Sequence, residues 1–394
     1  MMRVPIPPRA HWQALAARLG FDNHTYASGA YWCDDAYYRL SAQQIANDIK
    51  PAIEDIWAMC LEVVDRACRD DAVLHSLRIP EIGWDALRHS WRSKHPSLCT
   101  RFDLTYGDGA PPKLHECNGD TPGVLFESGV FQWIWLEDRL ADASLQASCD
   151  QFNRLHDALV QALAALPGEA GPIHIAASSR NIEDQVWARY LRDCAHQADR
   201  RTDLLPLESI GVDGAGRLTD HDDRAIECLI KVYRWELLLR EPFAPFLVGT
   251  SAPLVIEPLW KLVLSSKGLL VWLWRLFPRH PNLLPCWFEG DAGIDVGDRY
   301  AVKPLFSIKG DNVRLFDPSL PGGCIATPGP YGREGHVIQA LHCLARFPHA
   351  GGHSHASLLG WIVGGRAEGI GVVEDNGPII HDPTSRFVPH VVLH

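Results

Sequence analysis

The chain reads as a mixed α+β protein with an α/β interval in its middle, and three patterns predict this. Period-two alternation bounded by glycine and proline marks a hairpin around residues 101–118 and more strands after residue 300. In the first third, apolar residues recur every three or four positions, as helices with one buried face require. Between residues 171 and 255 short strands alternate with helices, the pattern of a small parallel or mixed sheet.

In order, residues 9–20 read as a helix with Trp12, Leu15, Ala16 and Leu19 on one face and Gly20 as its stop. A longer helix runs from an N-cap at Ser41 through Ile45, Ile49, Ile53, Ile56 and Met59 to Cys68, with Pro51 starting a new segment or kinking it. A tryptophan-rich helix over 82–93 leads into the hairpin, and helices over 124–141 and 148–166 follow it. Residues 167–172 form a break. Strands are then expected at 173–177 and 227–233, with a helix over 182–198, an extended segment over 201–206 and a turn at 211–216. A helix over 260–277 opens the last third, followed by strands at 300–304, 313–316 and 335–341 and a strand pair at 357–365 and 368–374. The expected organisation is a helical region with the hairpin (1–170), an α/β region (171–255) and a last region (256–394).

The hairpin concentrates chemistry. Arg101, Asp103 and Thr105 share one face of its first strand, and Phe102, Leu104 and Tyr106 share the other. Centring the turn between Gly109 and Ala110 puts Asp103 opposite Glu116 and Arg101 opposite Asn118, with His115 and Cys117 pointing away. Facing carboxylates repel unless a positive charge lies between them. The oxygen donors Asp103, Glu116 and Asn118 suit Mg²⁺, and Arg101 beside them would hold a developing negative charge. A solvated polar face explains the same spacing, so spacing leaves both readings open.

Other candidates are weaker on residues alone. The strand ending at Lys303 runs into a polar loop, 305–312, containing Gly310, which could fold over nucleotide phosphates or be an ordinary hairpin. Lys267 fits a solvated helix face. Glu183 and Asp184 open a helix, where carboxylates complement the macrodipole without any function. His349, His353 and His355 lie in a glycine-rich stretch read as a flexible loop rather than a metal site.

Composition narrows the class. A net charge of −11 disfavours a nucleic-acid binder and suits cationic ligands. Eleven cysteines with no C-x-x-C pair, and an N-terminus without a hydrophobic signal region, lead to the expectation of a cytoplasmic protein. The run 269–277 is too short to span a bilayer, so neither nucleic acid nor membrane is an expected partner.

Over nearly its whole length the chain resembles the glutathionylspermidine synthase family, in particular the short bacterial members without the amidase domain. The resemblance is carried by Arg101-Phe-Asp103, Glu116-Cys-Asn118 with Gly-Asp-Thr-Pro122, and Val130 to Asp138. It continues in Glu257-Pro-Leu-Trp-Lys, Ser265-Ser-Lys267, Leu276 to Pro285 and Ala301-Val-Lys-Pro304, and ends in Gly369 to Asp375 and Ser385 to His390.

The resemblance implies an ATP-grasp-like synthetase with a pre-ATP-grasp α/β domain. It implies Mg²⁺ on Asp103, Glu116 and Asn118, and Arg101 as the catalytic group that steadies the reacting acyl and phosphoryl groups. ATP would be the co-substrate, met by Lys267, Lys303 and Gly310, with Gln339, Ala340 and Leu341 as the adenine hinge. Thr121, Glu183 and Asp184 would bind substrate, the acidic pair taking a polyamine. The implied reaction joins a carboxylate (glutathione or a short peptide) to an amine through an acyl phosphate. Three departures stand out: Val373 and Ile308 each occupy a position where the family commonly has arginine, and Gly123 with the preceding loop lacks a serine or threonine that relatives use near the glutathione site. They leave a second reading open, a member that binds nucleotide or peptide without turnover.

Overall fold

The computed structural model describes residues 1–107, 109–167, 171–349 and 351–393. Asp108 in the hairpin turn and residues 168–170 in the 167–172 break lie outside the described residues.

A long helix organises the first third. Ser41 caps its start through a reciprocal capping box with Gln44, a wide π turn over Ile45–Ile49 follows, and the helix Lys50–Arg69 begins with Pro51 in its first turn. Proline lacks the N–H that would continue the helical ladder, and it falls directly after the wide π turn, where regular bonding is already interrupted. Ile53, Ile56, Cys60, Val63 and Ala67, spaced three or four apart, are buried against the central sheet. Ile53 packs so closely on Gly360 that a Cβ there would sit 2.6 Å from its side chain.

That central sheet runs in the order Arg386–Val388, Arg366–Asp375, Gly352–Val363, Cys99–Thr105, Lys113–Asn118, with Ala345–His349 also paired to Gly352–Val363. Every pairing in it is antiparallel. The hairpin from the first third is therefore zipped onto strands from the last. Between them in sequence lies a four-stranded parallel sheet, ordered Leu254–Ile256, Cys228–Val232, Ile173–Ala177, Thr202–Pro206, with the helix Ile182–Gln197 crossing between two of its strands. A five-stranded antiparallel sheet is ordered Cys286–Phe288, His336–Ala340, Tyr300–Pro304, Arg314–Phe316, Cys324–Ala326.

Several sequence expectations need correction. The helix expected over 148–166 forms only as Leu155–Ala164, because the backbone of Asp150 pairs with Val392 and that of Asn153 with Gly369. The helix expected over 260–277 is broken: Leu262–Ser265 ends where Ser266 turns extended (ψ 129), and Gly268–Leu276 resumes after it. At the break the Lys267 N–H donates to the Leu305 carbonyl at 2.8 Å, a tertiary bond that replaces a helical one. The glycine-rich stretch with the three histidines is a hairpin between Ala345–His349 and Gly352–Val363, since strand pairing satisfies its backbone. A sheet joining Met2–Pro5, Ala36–Ser41 and His390–Leu393 ties the two chain ends together, and no sequence pattern pointed to it.

Candidate active site

The expected hairpin register is present: Arg101 pairs with Asn118 and Asp103 with Glu116. Phe102 and Leu104 are fully buried in the core, which forces the intervening Arg101 and Asp103 onto the opposite face. One detail differs. A bulge after Asp103 brings Leu114 opposite Leu104 and leaves His115 as the extra residue. His115 therefore lines the cavity instead of turning away with Cys117.

That cavity, of about 410 Å³, takes in all thirteen of the site candidates except Lys267 in its lining. Arg101 grips Asp103 with two hydrogen bonds, Nε to Oδ1 at 2.7 Å and Nη2 to Oδ2 at 3.0 Å, and its Nη1 donates to the Gly123 carbonyl at 2.9 Å. Asn118 Nδ2 approaches Asp103 Oδ1 at 3.4 Å. Lys267 reaches in from the helix break, with Nζ 3.1 Å from Glu116 Oε1 and 2.7 Å from the Ser307 carbonyl. Each facing carboxylate thus has its own cation. Burial still pushes the Asp103 carboxyl above its usual range, against the pull of Arg101, and Glu116 adds to the rise.

Lys303 comes from the five-stranded sheet. Its Nζ donates to Gln339 Oε1 at 2.7 Å and to the His115 carbonyl at 3.0 Å, both uncharged partners. Burial lowers its ammonium to about 8, despite the opposing pull of Glu116. Gln339 follows from register: it pairs with Ala301, two residues before Lys303 on the same face. The Ala340 and Leu341 backbone N–H groups already donate to the Pro285 and Arg299 carbonyls at 2.8 and 3.1 Å.

The loop after Lys303 turns through left-handed conformations at Lys309 and Gly310 (φ 55 and 74). A Cβ on Gly310 would overlap the Ile380 carbonyl oxygen, so only glycine fits this passage. Lys309 Nζ then bridges Glu183 Oε1 at 2.8 Å and Asp382 Oδ2 at 2.7 Å. Glu183 and Asp184 open the helix Ile182–Gln197, where Asn181 caps both of their backbone N–H groups. Glu183 also accepts from the Tyr26 hydroxyl at 2.9 Å. Burial, reinforced by Glu183, raises the Asp184 carboxyl to about 6.

Glu127 belongs to this wall and was not singled out in the sequence. It lies on a π turn, Glu127–Phe131, just after the loop that Arg101 holds, and is only 4% exposed. Its signal was a lone carboxylate inside the apolar run 124–131. Tyr31, Asp382 and Arg234 also face the cavity and were missed. Ile308 and Val373, where the resemblance leads one to expect arginine, line it as well. The three histidines are absent from the cavity lining and form no metal-ligating group among the described residues.

Comparison with known proteins gives the family. A family model described as "Glutathionylspermidine synthase preATP-grasp" matches residues 3–393. A Haemophilus influenzae protein named "Putative acid–amine ligase" is 31% identical over 404 residues, covering 99% of both chains. The Escherichia coli "Bifunctional glutathionylspermidine synthetase/amidase" is 28% identical, across 79% of this chain and 53% of that protein. The Crithidia fasciculata "Trypanothione synthetase" is 26% identical, across 81% of this chain and 51% of that protein. This chain therefore matches about half the length of these last two. In fold, the chain is similar to a glutathione synthetase-like effector of Globodera pallida solved in its apo form, with a TM-score of 0.58 at 12% identity over 99% of this chain and 100% of that one. With a family match from residue 3 to residue 393, on a mixed α/β synthetase fold, the chain belongs to the glutathionylspermidine synthase family, whose named relatives here are acid–amine ligases and synthetases.

Proposed function

We propose that this chain is an Mg-ATP-dependent carboxylate–amine ligase that forms an amide through an acyl phosphate. The acid would be glutathione or a short peptide, and the amine a polyamine or another cationic amine. One observation carries the reading. A single cavity is lined both by an oxygen-donor face (Asp103, Glu116, Asn118) with lysines beside it and by the carboxylates Glu127, Glu183, Asp184 and Asp382.

The residues fit a divalent ion. Two carboxylates face each other across one strand pair, and each is at present balanced by a cation, Arg101 on Asp103 and Lys267 on Glu116. The all-oxygen set suits Mg²⁺, which when bound would neutralise charge on the transferring phosphoryl group. The chain's own groups supply the rest. Lys303 and Lys267 would meet phosphate oxygens as point charges, and Arg101 would hold the oxyanion that develops when the amine attacks. The Gly310 loop would lie along the phosphates, and Thr121 beside the carboxylate substrate. Attack of the substrate carboxylate on the γ-phosphorus releases ADP; attack of the amine on the acyl phosphate releases phosphate. The acidic wall would draw in a cation, in keeping with the chain's net charge of −11.

The aliphatic Ile308 and Val373 at the cavity support a second reading, a member that binds its ligands without turning them over. Phosphate release from Mg-ATP with a panel of glutathione, short peptides and amines, read together with product mass, separates the two. A ligase couples phosphate to a new amide mass. If no pairing releases phosphate while Mg-ATP still raises the melting temperature, the binder is left standing.

A further inference from the structure

The ligase reading leaves one proton unassigned. A cationic amine enters the acidic wall as an ammonium, and an ammonium has no lone pair with which to attack an acyl phosphate. Within the cavity, a carboxylate that is free to accept it and near both the amine wall and the acyl end can take this proton.

Most of the other acids facing the cavity are held by cations. Glu183 holds Lys309 and the Tyr26 hydroxyl, and Asp382 holds the same lysine. Asp184, in the first helical turn, makes no ion pair among the described contacts, but its charged neighbours are Glu183, Lys309 and Arg234, with no group of the hairpin among them. Asp103 is gripped by Arg101 and Glu116 by Lys267. Glu127 likewise makes no ion pair among the described contacts and lines the cavity, and unlike Asp184 it has Arg101 of the hairpin among its charged neighbours. It lies within electrostatic reach of Glu183 on the amine side and of Arg101 on the acyl side. Arg101 also holds the carbonyl of Gly123, four residues before Glu127 in the same segment, which fixes the approach of that segment to the hairpin.

We propose that Glu127 is the general base of the second half-reaction, taking a proton from the amine as it attacks the acyl phosphate. The inference rests on the ligase reading above. In the step, the C–N bond forms as the C–O bond to phosphate breaks. One ammonium proton passes to the Glu127 carboxylate and exposes the lone pair; the second proton lost from the attacking nitrogen leaves on the departing phosphate, which takes the C–O bonding electrons as hydrogen phosphate. Nothing further is oxidised, reduced or consumed. Burial, with the negative charge of Glu183 adding to it, raises the carboxyl to about 7, against the opposing influence of Tyr31 and Arg101. A base tuned there is ionised often enough to act at neutral pH and basic enough to accept a proton.

The test separates activation from amine attack. Wild type and Glu127→Gln are given Mg-ATP and glutathione, with either spermidine or hydroxylamine as acceptor. Hydroxylamine is largely uncharged at neutral pH and needs no base to expose its lone pair. Glu127→Gln should form hydroxamate at close to the wild-type rate, which also reports a folded and activating enzyme. Its amide synthesis with spermidine should fall about 100-fold at pH 7, and recover as pH rises and the amine deprotonates in solution. The wild-type amide rate should climb through pH 7 with a limb that Glu127→Gln lacks. Equal loss of hydroxamate and amide, or amide synthesis that is unchanged, overturns the proposal. A wild type that forms neither product while hydrolysing no ATP overturns the ligase reading itself, and this inference with it.

Discussion

Replacing Glu116 with alanine separates the site's chemistry from its fold. The Glu116 side chain is 25% exposed, and its charged partner is Lys267 at 3.1 Å. A partly exposed ion pair is worth about 0–1 kcal/mol. Lys267 keeps its bond to the Ser307 carbonyl at 2.7 Å, so the buried ammonium is not stranded. Losing Glu116 also removes the repulsion with Asp103 directly opposite, which offsets part of the lost pair. The net cost is thus at most about 1 kcal/mol, or roughly 1 °C in melting temperature for a chain of this length. The functional cost is far larger. Losing about 4 kcal/mol of charge stabilisation at the transferring phosphoryl group slows turnover by roughly 10³. Two measurements check this: phosphate release under saturating substrates, and thermal shift with and without Mg-ATP. At 100 times its Kd, Mg-ATP should stabilise the wild type by about 2.7 kcal/mol, and Glu116→Ala should lose most of that shift. A variant that melts normally, keeps the full Mg-ATP shift and turns over within about tenfold of wild type would remove Glu116 from the metal set.

Gly310→Ala places a methyl onto the Ile380 carbonyl at a left-handed φ, so the loop must move; about 1–3 kcal/mol of stability should be lost in urea unfolding, with a higher KM for ATP. Lys303→Met should weaken ATP binding by about tenfold or more in equilibrium titration, about 1.4 kcal/mol, with a melting temperature equal to or above wild type, because burying that ammonium is costly. His390 is fully buried and neutral, bonded to Gln132 Oε1 through Nδ1 and accepting the Phe152 N–H at Nε2, and burial lowers it to about 3. Between the ordinary value of 6.5 and about 3 the unfolded chain takes up a proton that the folded chain refuses, so stability falls as pH drops through that window. At pH 4.5 the loss should be about 2.7 kcal/mol relative to neutrality; His390→Gln should show a shallower acid limb in chemical denaturation, and an unchanged limb would refute the assignment.

How much of this was legible depended on distance along the chain. Strand alternation is a local property: once Phe102, Leu104 and Cys117 must face the core, the placement of Arg101, Asp103, Glu116 and Asn118 follows, and the register came out as expected. The bulge at His115 changes a count by one residue and leaves no compositional mark. Lys267 was misplaced onto a continuous helix because the helix is broken by the carbonyl of Leu305, which is distant in sequence. The acidic wall assembles from a π turn, a helix start and a loop near the C-terminus, and no local pattern brings Glu127, Glu183 and Asp382 together. Glu183 and Asp184 had a sufficient local explanation in the macrodipole, which hid the tertiary one.

Charge pairing across the cavity explains how those segments can act together. Arg101, Lys267 and Lys309 are each held by carboxylates here, while Lys303 is held by uncharged oxygens. A divalent ion on Asp103 and Glu116 would take over the counter-charge that Arg101 and Lys267 now supply, leaving both free for anionic substrate oxygens. A cationic amine at Glu183 would compete with Lys309 in the same way, and Lys309 sits in the loop that also carries Ile308 and Gly310. The aliphatic residue at 308 is then less costly than it looks. The positive charge lost there has a neighbour, Lys309, which the arrival of the amine would release toward the phosphates. Substrate amine and nucleotide would thereby be coupled through one lysine, with each ligand satisfying charges that the other sets free.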